Sequence, residues 1–413
     1  MKNNIINNEI VNPIINIFSS KVLSAFFSLI ITYLISTTYG PEKYGLFSLI
    51  LSLMCLMAEI SDLGLSKSAI KIISSTKDNT IKYDIVNTVL KYKIIISFFF
   101  ILFGPIVSLI IIKAYINDIS LIYAYILIPI GAISVLLFNY INSLYQSFFL
   151  FRELSRMTYI NAFIKILIIL FAICVNLYYL NIIILYVVLN FLLAYIFFNK
   201  LGIKYKKSTN INSIKSLIKN TYKWVFVSNI CIILFLRIDT LMIAYYKNSA
   251  ELGYYSLAIT LISSIIIITN SVDTILFPTI NNNYNIIKTI KKKSYKIIVF
   301  TFSLIILGIL LAKYTLVPIF GDEYYPTVAI FQILCIGYSM KIFSTILYPI
   351  FYSINKIKIL AMIDMFKLIL NFIGNIILIP AYGAIGASIT TSATIIFGII
   401  LMVLYIYIKK VEI

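Results

Sequence analysis

The stretch "GPEKYGLFSLI" spans positions 40–50 and sets two glycines and a proline between two long apolar runs. A looser copy, "AELGYYSLAIT", returns at 250–260. With Gly45 laid over Gly253, Phe47 meets Tyr255, Ser48 meets Ser256 and Leu49 meets Leu257, 208 positions apart in a chain of 413. Farther along, "LYQSFFLFRELSRMTYINAFIKIL" at 144–167 resembles "LYPIFYSINKIKILAMIDMFKLIL" at 347–370, pairing Tyr145 with Tyr348, Phe148 with Phe351 and Phe163 with Phe366. The chain reads as a tandem duplication. In each copy the turn follows the first long helix of its half; at the first, proline removes a donor and glycine permits the reversal.

Composition fixes the solvent. Hydrophobic residues make up 61%, charged residues 12%, and mean hydropathy is +1.01. Soluble domains carry about 25% charged residues. A bilayer core of ~30 Å needs about 20 apolar residues per helix, and runs of that size lie near 14–38, 44–66, 94–112, 120–148, 157–178, 181–199, 223–246, 253–278, 297–317, 326–353, 359–379 and 384–408. The expectation is an all-α polytopic membrane protein of about twelve spans. They form two six-helix lobes related by a pseudo-two-fold along the membrane normal, a recurrent transporter plan. The domains expected are 1–200, a basic linker at 201–222, and 223–413. The first run has no small-residue cleavage pattern after it, so it reads as a retained span.

Topology accounts for the net charge of +19. With the N-terminus inside, 25 basic residues fall at inner loops and span ends, Lys91 and Lys93 among them, and only Lys43, Lys113, Lys247 and Lys313 fall outside. That asymmetry is the positive-inside rule and places both termini in the cytoplasm. No soluble domain is left to present a basic face, so nucleic acid is not an expected partner; membrane lipids are. Tyrosines such as Tyr39, Tyr44, Tyr254, Tyr324 and Tyr382 mark the outer junctions as an aromatic belt, with sugar stacking as the sharper alternative. Histidine is absent and the four cysteines are scattered singly, so neither a metal site, a cofactor nor a disulfide framework is expected.

Five segments in order, "GPEKYGLFSL", "SDLGLS" at 61–66, "RIDTLMI" at 237–243 with "ELGYYSLA", "FGDEYYPTVAIFQIL" at 320–334 and "PAYGAIGAS" at 380–388, resemble the Wzx-type polysaccharide flippases. These export lipid-linked O-antigen or capsule units and share a superfamily with multidrug extruders. The resemblance runs from about residue 15 to 408. It implies alternating access around a central cavity and a bacterial cytoplasmic-membrane location in the lipopolysaccharide or a related pathway. The implied cargo is an undecaprenyl-pyrophosphate-linked oligosaccharide, and the implied protein partners are the pathway's polymerase and chain-length proteins.

Charges inside the spans would carry the chemistry. Lys21, Lys165, Arg237, Lys341 and Lys367 fall within apolar runs, each costing ~2.5–3.5 kcal/mol if it faced lipid at a helix centre. A water-filled cavity lined by them would suit a pyrophosphate, and arginine adds bidentate recognition. Snorkelling to the inner face is the competing reading for Lys21, Lys165 and Lys367. The spans also hold Glu59, Asp62, Asp239, Asp273 and Asp364. Asp364 and Lys367 stand three apart on one helix face and would neutralise each other. Asp62 reads as a helix cap, and Asp239 is the better candidate for ion coupling. Two rival functions remain open: a cation-coupled multidrug extruder, and a polytopic glycan polymerase or ligase. There is no phosphate-binding G-x-x-x-x-G-K-[ST] loop, no H-E-x-x-H, and no large outer loop to hold an active site. A non-enzymatic transporter is therefore expected.

Overall fold

The computed structural model describes residues 2–62, 64–75, 78–115, 122–203, 222–282, 294–353 and 356–408; side chains of 2–18 and 267–282, among others, lie outside the described set. The expected linker therefore falls largely outside the described residues. The described residues are helical, without strands: α1 (Lys2–Asp62), α2 (Leu65–Ser75), α3 (Asn79–Tyr115), α4 (Ile122–Ser147), α5 (Phe151–Cys174), α6 (Tyr179–Lys200), α7 (Tyr222–Tyr246), α8 (Ser249–Asn282), α9 (Ser294–Phe320), α10 (Tyr325–Ser353) and α11 (Ile357–Ile408).

Nine of the described helices have the length and apolarity to cross a bilayer. Two of these, α1 and α11, are each two passages joined at a glycine: Gly40 (φ 76°) and Gly383 (φ 59°) leave helical geometry where the chain reverses. Counting both arms of each, and α8, gives the twelve spans of the sequence reading. A third reversal, after α9, uses Gly321 (φ 92°). In all three an aromatic residue precedes the glycine: Tyr39, Phe320 and Tyr382. Only glycine adopts such backbone without strain.

Two compact units emerge. Unit 1 comprises Met1–Ile31 and Leu49–Phe226; unit 2 comprises Thr32–Ser48 and Val227–Ile413. In unit 1 the core gathers Tyr140, Leu144, Tyr145, Met157 and Phe197, and the short helix α2 contributes Ala69 and Ile73. Two of the buried phenols donate to backbone: Tyr140 to Val86 O at 2.8 Å, and Tyr145 to Phe197 O at 2.8 Å. The N-terminus of α3 is capped by Asp78, which accepts from Thr80 N at 2.8 Å and Thr80 Oγ1 at 2.7 Å. Those donors hold its carboxyl below the usual range. The outer half of α3 shows Phe98, Phe99, Leu102 and Phe103 on the surface, and α9 shows Ile306, Leu307, Leu310 and Leu311. They are the third passages of the two halves, and such continuous apolar faces belong against lipid.

The opening turn packs inside unit 2. A Cβ on Gly45 would lie 2.0 Å from Ser249 O, and one on Gly253 would lie 2.1 Å from Pro41 O. The two copies of the duplicated turn are thus pressed backbone to backbone. Tyr44 Oη lies 3.4 Å from Thr260 Oγ1, and Tyr324 Oη donates to Ser36 O at 3.1 Å.

Candidate functional site

Unit 2 contains a cavity of about 220 Å³ between α7, α10 and α11. Its polar wall holds Lys341, Tyr348, Asp364 and Lys367; its apolar wall includes Ile399 and Met402. Lys367 Nζ lies 3.3 Å from Asp364 Oδ1 and 5.5 Å from the Phe235 ring centroid. Its stem passes over Gly398, where a Cβ would sit 2.4 Å from Lys367 Cδ. Glycine at that position makes room for the lysine. Asp364 is further satisfied by Ser228 Oγ at 2.6 Å and by Tyr348 Oη. The acid is thus already satisfied by one ammonium and two hydroxyls, and Lys341 is the second lysine of the cavity wall. Lys341 Nζ stands 5.7 Å from the Tyr338 ring, and half-buried Arg237 acts electrostatically on the same tyrosine.

Two residues from Arg237, Asp239 turns to another face of α7 and is 3% exposed. Tyr255 Oη donates to its Oδ2 at 2.5 Å, Asn375 Nδ2 donates to its Oδ1 at 2.7 Å, and Thr391 Oγ1 donates to Oδ2. A second tier follows: Asn371 Nδ2 donates to Thr391 Oγ1 at 3.0 Å, Asn375 Nδ2 to Asn371 Oδ1 at 3.1 Å, and Thr390 Oγ1 to Asn375 Oδ1. Hydroxyl and amide groups from α8 and both arms of α11 thus surround one buried carboxylate. Sequence reasoning singled out Asp239 but missed Tyr255, Asn371, Asn375, Thr390 and Thr391. The signal was present: two asparagines four apart in an apolar run, then threonines on the returning arm.

The remaining candidates lie elsewhere. Lys21 is exposed and Lys165 packs on Tyr186, both in unit 1 and neither in the cavity wall. The Asp273 side chain lies outside the described residues. Asp62 accepts from Ser66 N at 3.2 Å and Ser66 Oγ at 2.5 Å, anchoring the start of α2, and it also pairs with Lys93. Lys93, counted by the sequence reading among the basic residues of the inner span ends, is buried there. Its side chain is 0% exposed, 5.0 Å from the Tyr140 ring. The reason is that α3 begins at Asn79, well before the apolar run, and α2 covers that extension.

Residues 34–329 match the family model described as polysaccharide biosynthesis protein. An uncharacterized membrane protein of Methanocaldococcus jannaschii is 25% identical over 93% of this chain and 81% of its own length. Among solved structures, the lipid II flippase MurJ in an inward closed conformation aligns with a TM-score of 0.77 at 17% identity, covering 94% of this chain and 87% of that one. An inward-facing multidrug resistance MATE family transporter of the MOP superfamily aligns at 0.73 and 11% identity, covering 94% of each chain. At such identities these two likenesses establish the fold alone, a two-lobed twelve-helix fold.

Proposed function

The chain belongs to the polysaccharide biosynthesis protein family, and from that premise we propose that it is a flippase. Its cargo would be a polyprenyl-pyrophosphate-linked oligosaccharide, moved from the inner to the outer leaflet of the cytoplasmic membrane by alternating access. The observation that carries this reading is the amphipathic cavity of unit 2. Lys341 and Lys367 offer ammonium donors to a pyrophosphate, Arg237 stands beside the shared Tyr338, and Ile399 and Met402 offer apolar surface to a prenyl chain. An exporter of organic cations would present an unsatisfied acid at such a wall, whereas Asp364 is already satisfied. Asp239 is the group we assign to ion coupling. A carboxylate ringed by swivelling hydroxyls and amides can exchange those donors for a cation or a proton.

The test is binding of a short, water-soluble prenyl pyrophosphate to the purified full chain, against the matching prenyl alcohol. The expected result is saturable binding of the pyrophosphate alone, weakened at least tenfold by Lys341→Met with retention by Lys341→Arg. Equal binding of the alcohol, or tight binding of a cationic dye with none of the pyrophosphate, would overturn the assignment.

A further inference from the structure

Unit 1 holds a membrane-embedded lysine that the cavity does not use. Lys165 of α5 is half-buried, with Nζ 5.1 Å from the Tyr186 ring centroid on α6 and Cys55 of α1 within electrostatic reach. Residues four apart on a helix stack on one face. One turn from Lys165 toward the start of α5 stands Asn161; one turn from Tyr186 toward the end of α6 stands Asn190; one turn on from Cys55 stands Glu59. All three steps run the same way, because α5 is antiparallel to α6 and to the second arm of α1. In this register three oxygen acceptors stand one helical turn from the lysine on its inner side.

Two members of that tier lack donors. Asn161 and Asn190 are 9% and 8% exposed, and the Oδ1 atom of each is buried with no hydrogen-bond partner among the described residues. Buried polar groups in folded proteins are nearly always paired, so a pair of orphaned amide oxygens on facing helices indicates a missing donor. Lysine side chains on a helix lean toward its N-terminus. That lean turns the Lys165 side chain toward the level of Asn161, and its ammonium brings three donors.

We propose that Glu59, Asn161 and Asn190 form a cation site in unit 1 whose resident cation is the ammonium of Lys165, reached by a swing of one helical turn, ~6 Å, from the Tyr186 ring. A carboxylate and two amide oxygens offer three acceptors to three N–H donors. The position over Tyr186 is the second station of the same group, held by the ring face. Unit 1 then carries its cation covalently. If the ion-coupling reading of Asp239 holds, an exchangeable ion enters unit 2 alone; the site in unit 1 does not depend on that reading.

The experiment uses the full chain in lipid nanodiscs, with Asp239→Asn throughout to silence ion responses in unit 2. Removing a truly orphaned buried oxygen leaves stability unchanged or raises it. Asn161→Leu and Asn190→Leu, with Lys165 intact, are each expected instead to lower the thermal midpoint by about 3 °C or more. Lys165→Ala should lower it as well, and methylammonium or sodium should restore it saturably. Adding Asn161→Leu to that variant should abolish the restoration. Three results would each sink the proposal: unchanged or raised midpoints in the leucine variants, no rescue of Lys165→Ala by any small cation, or equal sodium stabilisation with and without Lys165. The last would mean that the site takes a free metal ion beside the lysine.

Discussion

Burying a lysine among apolar helices costs several kcal/mol unless a carboxylate meets it, and Lys93 meets Asp62. Removing one partner of such a pair typically costs about 3–5 kcal/mol, because the other charge stays buried and alone. Lys93→Met should therefore sharply lower the thermal midpoint of the purified chain, and Lys93→Met with Asp62→Leu should recover most of the loss. A double variant as unstable as the single one would show that the lysine stem matters here more than its charge. Arg237 poses the opposite problem, a cation to which the flippase reading gives a role in binding. On the flippase reading, Arg237→Ala should abolish surface glycan while the protein stays inserted and abundant, and Arg237→Lys should keep part of the activity. If neutralising Asp239 alongside Arg237 restores transport, the arginine was balancing an acid and does not hold cargo. At this scale the sequence disclosed which charges lie in spans but not their partners. Asp364 and Lys367 could be paired because they share a helix; Asp62 and Lys93, 31 positions apart, could not.

Among the elements, the glycine reversals decide where each passage ends, and the GPEKYG turn was legible because proline and glycine interrupt apolar runs without ambiguity. Gly383 was legible for the same reason, following Pro380 and Tyr382. What stayed hidden was contact between repeats, since pairing of one turn with its own copy leaves no local trace. The inner extension of α3 was hidden as well, because hydropathy finds the part of a helix in lipid and not the part packed beneath α2. Gly253 permits one of these approaches, and a methyl group there would meet Pro41 O at 2.1 Å and Pro41 C at 2.8 Å. Those atoms are backbone and cannot rotate away. Gly253→Ala should thus destabilise the chain by about 1–3 kcal/mol, the usual range for overpacking, read as a lower thermal midpoint with the helical circular dichroism retained. A midpoint equal to that of the parent chain would mean that the two turns separate in the membrane. Glu251 supports the same region from the side, accepting from Ala384 N at 2.8 Å just after the Gly383 reversal.

For the whole molecule, the orientation we propose in the membrane rests on counting passages and charges together. Six passages precede the segment 201–221: the two arms of α1, then α3, α4, α5 and α6. An even number returns the chain to the side of its N-terminus. That segment is dense in lysine, as is 283–296, and by the positive-inside rule such density is expected on the cytoplasmic face. The outer reversals at Gly40, Gly321 and Gly383 carry instead aromatic residues and the acids Glu42, Asp322 and Glu323. With Cys55, Cys174, Cys231 and Cys335 replaced, single cysteines at Ser208 and Ile290 should resist an impermeant thiol reagent applied to intact cells. Cysteines at Asp118, Asn248 and Asp322 should react with it. With the N-terminus inside, labelling at 208 from outside would mean that an odd number of passages precedes that segment. Gly40 or another reversal before residue 200 would then not turn the chain back across the bilayer, and the duplication would relate inverted halves instead of parallel ones.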